Sequence, residues 1–462
     1  MKSQQAVNPS IFRAYDIRGV VGDTLTTESV YAIGRAIGSL AIESGEKNIA
    51  VGRDGRLSGP VLVAALCDGI LSTGCNVIQL GVVPTPVLYY ATYELETRSG
   101  VMLTGSHNPP DYNGLKIVMN GKTLAEEGIH DLYRRIIEDR LCDGRGAISE
   151  VSLLERYLQQ ITSTVKLSRP LKIVVDCGNG VPGVVVPELY RQMGCDVHEI
   201  FCDVDGNFPN HHPDPSQPEN LQDLIRKVRE VDADLGLAFD GDGDRLGVVT
   251  RKGEIIWPDR QLMLFAKSIL ATHPGAKIIY DVKCTSNLET LIREHGGEPI
   301  MWKTGHSLIK SKLAETQALL AGEMSGHIFI KDRWYGFDDA VYAGARLLEI
   351  VAAESCDIDA LFATIPDSVN TPELKIAVSE DAKFLIMEKL VASANFHTAL
   401  QVMTIDGLRV NFADGWGLVR PSNTTPCLVL RFEAESEAVL ARIQNVFRDF
   451  ILAVEPSLQL PF

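Results

Sequence analysis

The residues best suited to chemistry sit in short segments rich in glycine and polar side chains. Ser106 lies in Thr104-Gly105-Ser106-His107-Asn108-Pro109, after the apolar run Gly100–Leu103 and before Pro110. The paired prolines stop a strand or helix from running on, so Ser106 is expected on a stiff loop at a strand end, with His107 beside it. Ligands of open α/β sheets bind at the carboxyl ends of strands, although the same residue types also build ordinary polar turns. A second apolar run, Leu235–Phe239, ends in Asp240-Gly241-Asp242-Gly243-Asp244-Arg245. Three carboxylates at alternate positions repel one another, and the glycine spacers let the backbone curl until they converge. They need a cation, and an all-oxygen set selects a hard ion such as Mg2+ or Ca2+ over zinc. An EF-hand loop would require glycine at its sixth position and glutamate at its twelfth, where this chain has Arg245 and Arg251. Three carboxylates with an open position suit Mg2+ bridging to a phosphate.

The elements that position these loops repeat along the chain. Asn48–Gly52, Lys172–Asp176 and Lys277–Asp281 are short β-branched runs, each followed by a helix-like stretch and a glycine-led second strand at Gly74, Gly194 and Gly297. A third strand then ends in a polar loop: the Ser106 loop, the Asp240 loop, and Gly322-Glu323-Met324-Ser325-Gly326-His327 after Leu319–Ala321. Strands alternating with helices predict parallel sheets with right-handed crossovers. At 462 residues the chain exceeds one core. It divides into domains at about 1–150, 151–254, 255–366 and 367–462. The expected fold is α/β: three repeated α/β domains with mainly parallel sheets, plus a smaller C-terminal α+β domain, around one central cleft. In the last domain, strands are expected at Thr371–Val378, Leu408–Phe412 and Cys427–Phe432, and helices near 380–393 and 436–453. The stretch from Asp205 to Glu219, rich in Pro, Asn and His, reads as an ordered functional loop or as a linker.

A balance of 45% hydrophobic and 23% charged residues is that of an ordinary globular protein. No stretch approaches the roughly 20 apolar residues of a membrane span. Met1–Gln5 lacks a signal-peptide core, so a cytoplasmic location is expected. The nine cysteines form no CxxC pair and read as small buried hydrophobes. A net charge of −16 disfavours nucleic acid and anionic membranes as partners. A phosphorylated substrate would therefore need a local basic pocket. Arg13, Arg18 and Lys116 flank the serine loop, Arg245 closes the acidic loop, and Lys283 follows the first strand of the third repeat. The segment from Gly415 to Pro426 is expected to be a loop, and Arg420, Ser422, Asn423, Thr424 and Thr425 on it suit a dianionic phosphate.

Phe12–Gly19, Thr104–Pro109, Asp240–Arg245, Gly322–His327 and Arg420–Thr425 together resemble the signature loops of the α-D-phosphohexomutases. Their order and spacing are similar to the bacterial phosphomannomutase/phosphoglucomutase branch across nearly the whole chain. The resemblance implies an intramolecular phosphotransferase that converts hexose 6-phosphate to 1-phosphate through a phosphoserine and a hexose 1,6-bisphosphate. By that resemblance Ser106 carries the phosphoryl group and, with Asp240, Asp242 and Asp244, holds one Mg2+. Glu323 and Ser325 bind the sugar 3- and 4-hydroxyls, and Arg420, Ser422, Asn423, Thr424 and Thr425 hold the non-reacting phosphate. Tyr15, Arg18, Lys283, His306 and His327 complete the substrate contacts, and Lys116 and Arg245 support the transfer. His327 is the general base that the family pattern favours, with His107, His306 and Lys116 as alternatives. Met324 separates the chain from the glucosamine branch, which is expected to differ there. The other readings are a phosphoglucosamine mutase and a phosphoserine-dependent sugar phosphatase. Four domains enclosing their own cleft do not require a partner, so a monomer is expected. The resemblance implies small sugar phosphates as substrates, with products that feed nucleotide-sugar and polysaccharide synthesis.

Overall fold

A computed structural model describes residues 7–423 and 425–462. It contains four sheets, and the first three share one plan. The leading strands Asn48–Arg53, Lys172–Asp176 and Lys277–Asp281 pair in parallel with Asn76–Val82, Asp196–Ile200 and Glu298–Trp302 on one side. On the other side they pair in parallel with Gly100–Leu103, Leu235–Phe239 and Leu320–Gly322. Each of these third strands is buried along its whole length, which is why it reads as an unbroken apolar run rather than an alternating one. The chain then turns back antiparallel into Tyr112–Met119, Leu246–Thr250 and Ile328–Ile330. The sheets are therefore mixed, with the expected parallel strands at the centre and an antiparallel strand on the flank. The serine loop, the acidic loop and the loop around Glu323 are the three turns between third strand and return strand, at equivalent places.

The fourth sheet has six strands, all paired antiparallel, and is covered by the helices Glu380–Ala392 and Glu437–Val454. One expectation is corrected here. Gly415–Pro421 is a strand in the middle of this sheet, so only the residues after Pro421 form the loop. Glycine is depleted in strands, and two glycines around Trp416 hid the strand from a reading by residue type. Arg420 is thus fixed on a strand end rather than carried on a free loop. The 205–219 stretch is an ordered loop and not a linker. His211 pairs with Asp176 at 3.1 Å, Asn210 donates to Asn179, and the Pro213 carbonyl accepts the Gly241 N–H of the acidic loop.

Packing sets the domains relative to one another. One continuous apolar core joins the face of the first sheet that carries Leu80 and Met102, with Leu88 of the helix Thr85–Glu94, to the second and third sheets. The fourth sheet has its own core. It docks through Trp416 and Leu418 against Val282. Arg409, fully buried 3.7 Å above the Trp416 ring, donates to the Val282 and Cys284 carbonyls of the third sheet's loop. All nine cysteines are free. Among the described residues no helix is long and apolar enough to cross a membrane.

Asp339 caps the helix Ala340–Ala353 at a joint of Tyr90, Tyr157, Trp334 and Tyr342. It accepts from Tyr157 Oη, Trp334 Nε1 and the Tyr342 N–H, yet burial pushes its pKa up to about 7. An acid whose folded pKa is raised stabilises the fold below its unfolded pKa, near 4, and that contribution is lost as pH rises through the folded value. Stability should therefore decline between about pH 4 and 7, by about 1.4 kcal/mol for each tenfold change in proton affinity. Asp339→Asn should flatten that part of the pH profile in chemical denaturation, and an identical slope in both proteins would refute the assignment.

Candidate active site

Ser106 occupies the tip of the first loop with φ of 48°, a left-handed conformation that L-residues avoid. Its Oγ donates to Asp240 Oδ2 at 2.8 Å and lies 3.1 Å from His107 Nδ1. The serine and the acidic loop belong to different domains, and they meet because both cap third strands. Gly241 lets them approach this closely, since a Cβ there would fall 2.4 Å from the Ser106 carbonyl oxygen. Asp240 Oδ1 accepts the N–H groups of Gly243, Asp244 and Arg245, which curls the loop around its own first carboxylate.

Asp240, Asp242 and Asp244 are fully buried, and each offers an oxygen within 4.8 Å of the others. Asp242 Oδ2 accepts from Thr85 Oγ1 at 2.6 Å and from Lys116 Nζ at 2.7 Å, and Lys116 also donates to Asp244 Oδ2. Asp242 Oδ1 and Asp244 Oδ1 are buried without a hydrogen-bond partner. Buried carboxylate oxygens left without donors are costly, and an all-oxygen set of three carboxylates fits a hard divalent cation. Burial and the neighbouring Asp242 and Asp244 push Asp240 well above the usual carboxylate range. Burial opposes the charge on Lys116, but Asp242, Asp244 and Asp240 outweigh it and hold the ammonium firmly protonated. Lys116 therefore has no lone pair to act as a base.

The histidines are arranged around this centre. His327 Nε2 accepts from Arg245 Nε at 3.1 Å, while its Nδ1 lies 3.2 Å from Asp338 Oδ2 and 3.5 Å from Asp244 Oδ1. That geometry places the ring proton on Nδ1 and makes Nε2 the accepting nitrogen. His306 stacks on His327 with ring centroids 5.5 Å apart. Burial, then Lys310, keeps His306 neutral, and burial, then Arg245 and Arg18, does the same for His107. Asp338 also pairs with Lys310 at 2.7 Å.

The remaining predicted residues that are described make the following contacts. Arg18 pairs with Asp16 and donates to Asn108 Oδ1 of the serine loop. Tyr15 Oη donates to the Thr304 carbonyl at 2.6 Å and accepts from Asn423 Nδ2, so one phenol touches the first, third and fourth domains. Glu323 is buried and accepts the Gly305 N–H; burial raises its pKa. Ser325 sits half-buried in the turn closed by Glu323 N–H to the His327 carbonyl. Lys283 Nζ donates to Glu373 Oε1 at 2.6 Å. Arg420 Nε donates to Asp406 Oδ2 at 3.1 Å, and its buried Nη2 has no partner. Ser422 Oγ and Thr425 Oγ1 are 2.8 Å apart. Thr424 lies outside the described residues.

Asp338, Lys310, Asp406, Asp281 and Thr304 were not anticipated from sequence, though they orient His327, His306 and Arg420. Asp281 had one readable signal, its place at the end of a leading strand opposite Asp176 of the preceding repeat.

Comparison with known proteins covers the same ground. Four family models of phosphoglucomutase/phosphomannomutase match: α/β/α domain I over residues 9–141, domain II over 155–253, domain III over 257–368 and the C-terminal domain over 373–450. A phosphomannomutase/phosphoglucomutase of Pseudomonas putida is 59% identical over 457 residues, covering 99% of this chain and 98% of the relative. A phosphoglucomutase of Neisseria gonorrhoeae is 54% identical over 449 residues, covering 96% and 97%. The crystal structure of a phosphoglucomutase/phosphomannomutase family protein from Burkholderia thailandensis superposes with a TM-score of 0.95 at 54% identity, over 99% of this chain and 100% of that one. With four matched domains, a superposable fold and full-length relatives of this kind, the chain belongs to the phosphoglucomutase/phosphomannomutase family of phosphotransferase enzymes.

Proposed function

We propose that the chain carries out its family's interconversion of hexose 1- and 6-phosphates through a phosphoryl group on Ser106, with mannose and glucose phosphates as substrates and one Mg2+ per chain. The observation that carries this reading is the Ser106 hydroxyl 2.8 Å from Asp240, beside two buried carboxylate oxygens without partners. The 6-phosphosugar presents its O1 hydroxyl to the phosphoserine. The bond from phosphorus to Ser106 Oγ breaks, the bond to O1 forms, and the hydroxyl proton passes to a base, leaving hexose 1,6-bisphosphate. His327 is the base in this reading: Arg245 donating to Nε2 puts the ring proton on Nδ1, which faces Asp338, and Nε2 takes the sugar proton once Arg245 turns to the transferring phosphoryl group. The bisphosphate then turns over: Ser106 Oγ takes the phosphoryl group from O6, the bond from phosphorus to O6 breaks, and the base returns its proton to O6, releasing hexose 1-phosphate and restoring the phosphoserine. Mg2+ held by Ser106, Asp240, Asp242 and Asp244 would neutralise charge developing on the serine oxygen. Lys116 and Arg245 supply further positive charge beside the transferring group.

Binding of the sugar falls to Glu323 and Ser325, with His306, Tyr15 and Arg18 around it. The distal phosphate is held by Arg420, Lys283 and the hydroxyls and amides of residues 422–425. The unpartnered Nη2 of Arg420 supports this role, since a buried guanidinium nitrogen without an acceptor awaits one. We place the domain limits between the four sheets and the enzyme in the cytoplasm.

Intact-mass measurement of the purified chain should show one phosphoryl group, lost in Ser106→Ala together with mutase activity. Phosphate release outpacing isomer formation would point instead to a phosphatase. Arg420→Ala should raise KM for glucose 1-phosphate and lower kcat/KM by about 10–100-fold, the equivalent of one or two charge-assisted hydrogen bonds. Wild-type kinetics in that variant would remove Arg420 from the site. Glucose and mannose differ at C2, which Glu323 and Ser325 would leave unread. Their kcat/KM values should therefore differ by less than about 10³, roughly 4 kcal/mol. A larger ratio, or preference for a glucosamine phosphate, overturns dual specificity.

A further inference from the structure

Arg56 lies outside the groups that meet the substrate, yet it is among the largest fully buried side chains, at 1% exposure. A guanidinium has five N–H donors in a fixed fork, and here all five are used. Nη2 donates to the carbonyl oxygens of Ser106 at 2.8 Å and Asn108 at 2.6 Å, and Nη1 to those of Tyr112 at 2.9 Å and Pro109. Nε pairs with Asp54 Oδ2 at 3.2 Å. The same Asp54 oxygen accepts Thr104 Oγ1 at 2.8 Å and the Gly105 N–H at 3.1 Å. The Asp54–Arg56 pair thus grips the serine loop on both sides of Ser106, by backbone groups from residue 105 to 112.

Ser106 needs such a grip. Its φ of 48° is disfavoured for a residue with a side chain by about 1–2 kcal/mol. The turn also points four carbonyl dipoles at one spot, an arrangement that requires a concentrated donor. Lysine offers only three donors from a point charge and cannot match the fork. The open face of the guanidinium is covered from the second domain. Phe208 lies with its ring centroid 5.1 Å from Arg56 Cζ, carried by the ordered loop that follows Asp205. Gly206 of that loop comes so near that a Cβ would meet Arg56 Cα at 2.8 Å and Leu57 N at 2.7 Å.

We propose that Arg56 is a positioning residue, holding the serine loop so that Ser106 Oγ is aimed at Asp240, and that Phe208 keeps the guanidinium in place and dry. The proposal rests on the phosphoserine reading above. It explains why a loop of the second domain reaches back onto the first: that one loop touches both the support of the nucleophile's loop, through Phe208 on Arg56, and the acidic loop, through the Pro213 carbonyl on the Gly241 N–H.

The test uses the full chain as Arg56→Lys, Phe208→Leu and Phe208→Tyr. Arg56→Lys should lower kcat by about 100-fold, the usual cost of a 1 Å misplacement, with KM for glucose 1-phosphate within about threefold of wild type. The 31P resonance of the phosphoserine should shift or broaden. Phe208→Leu should give a smaller kcat loss of the same kind, and Phe208→Tyr should restore it. Arg56→Lys with wild-type kcat and an unchanged 31P resonance overturns the proposal, as does a loss confined to thermal stability. If Arg56→Lys does not fold, the Phe208 pair decides: equal kcat in Phe208→Leu and Phe208→Tyr overturns it, and loss with rescue supports it. Failure of the phosphoserine reading shows separately, as wild-type protein without phosphate by intact mass after incubation with glucose 1,6-bisphosphate.

Discussion

Asp240, Asp242, Asp244, Asp281, Glu323 and Asp338 are each no more than 2% exposed. Carboxylates taken out of water lose several kcal/mol of hydration apiece, so every one of them has to be met by a cation or by aligned donors. Much of the tertiary arrangement follows from that demand. Lys116 of the first sheet crosses to Asp242 and Asp244 of the second. Lys283 of the third reaches Glu373 of the fourth, and Arg431 of the fourth reaches Asp259 of the third. Breaking a buried pair such as that of Lys116 with Asp242 or of Arg431 with Asp259 typically costs about 3–5 kcal/mol, which makes the relative placement of domains hard to alter without altering the site. The same crowding leaves a few oxygens without donors, and those are where a divalent cation belongs.

The four domains are tied unequally. The first three share a continuous apolar core, whereas the fourth packs on its own and meets the third through Trp416, Arg409 and Arg431. The part with the shared core thus holds Ser106, the carboxylates and the histidines, the groups proposed above to carry out the transfer, for which small misplacements are costly. The separately folded part carries Arg420, Ser422 and Thr425, proposed above to hold the distal phosphate, where a modest adjustment is tolerable. Tyr15 spans this division by touching Thr304 and Asn423 together.

Sequence alone was informative where chemistry is written in consecutive residues. Three aspartates spaced by glycine, or a serine between an apolar run and two prolines, have few structural uses, and the three repeats were readable because each third strand is buried on both faces. Asp338 carried no such signal, because its meaning comes from His327 and Lys310, brought to it only by the fold. Asp406 is read through Thr304, 102 residues away, and Arg56 through carbonyls about 50 residues on. The Gly415–Pro421 strand was missed because local propensity disfavours glycine there, while pairing on both sides overrides it. The 205–219 loop could not be told from a linker because its contacts, such as His211 with Asp176 and Phe208 with Arg56, are also distant.

The contact from Ser106 to Asp240 spans 134 residues, and that from Tyr15 to Asn423 spans 408. A polypeptide is synthesised from its N-terminus, and domains fold in turn as they emerge. Ser106 is therefore in place on its folded sheet well before the ribosome has made the carboxylates that face it, and longer still before Arg420 exists. Throughout that interval the half-built chain lacks part of the site proposed for the sugar phosphate.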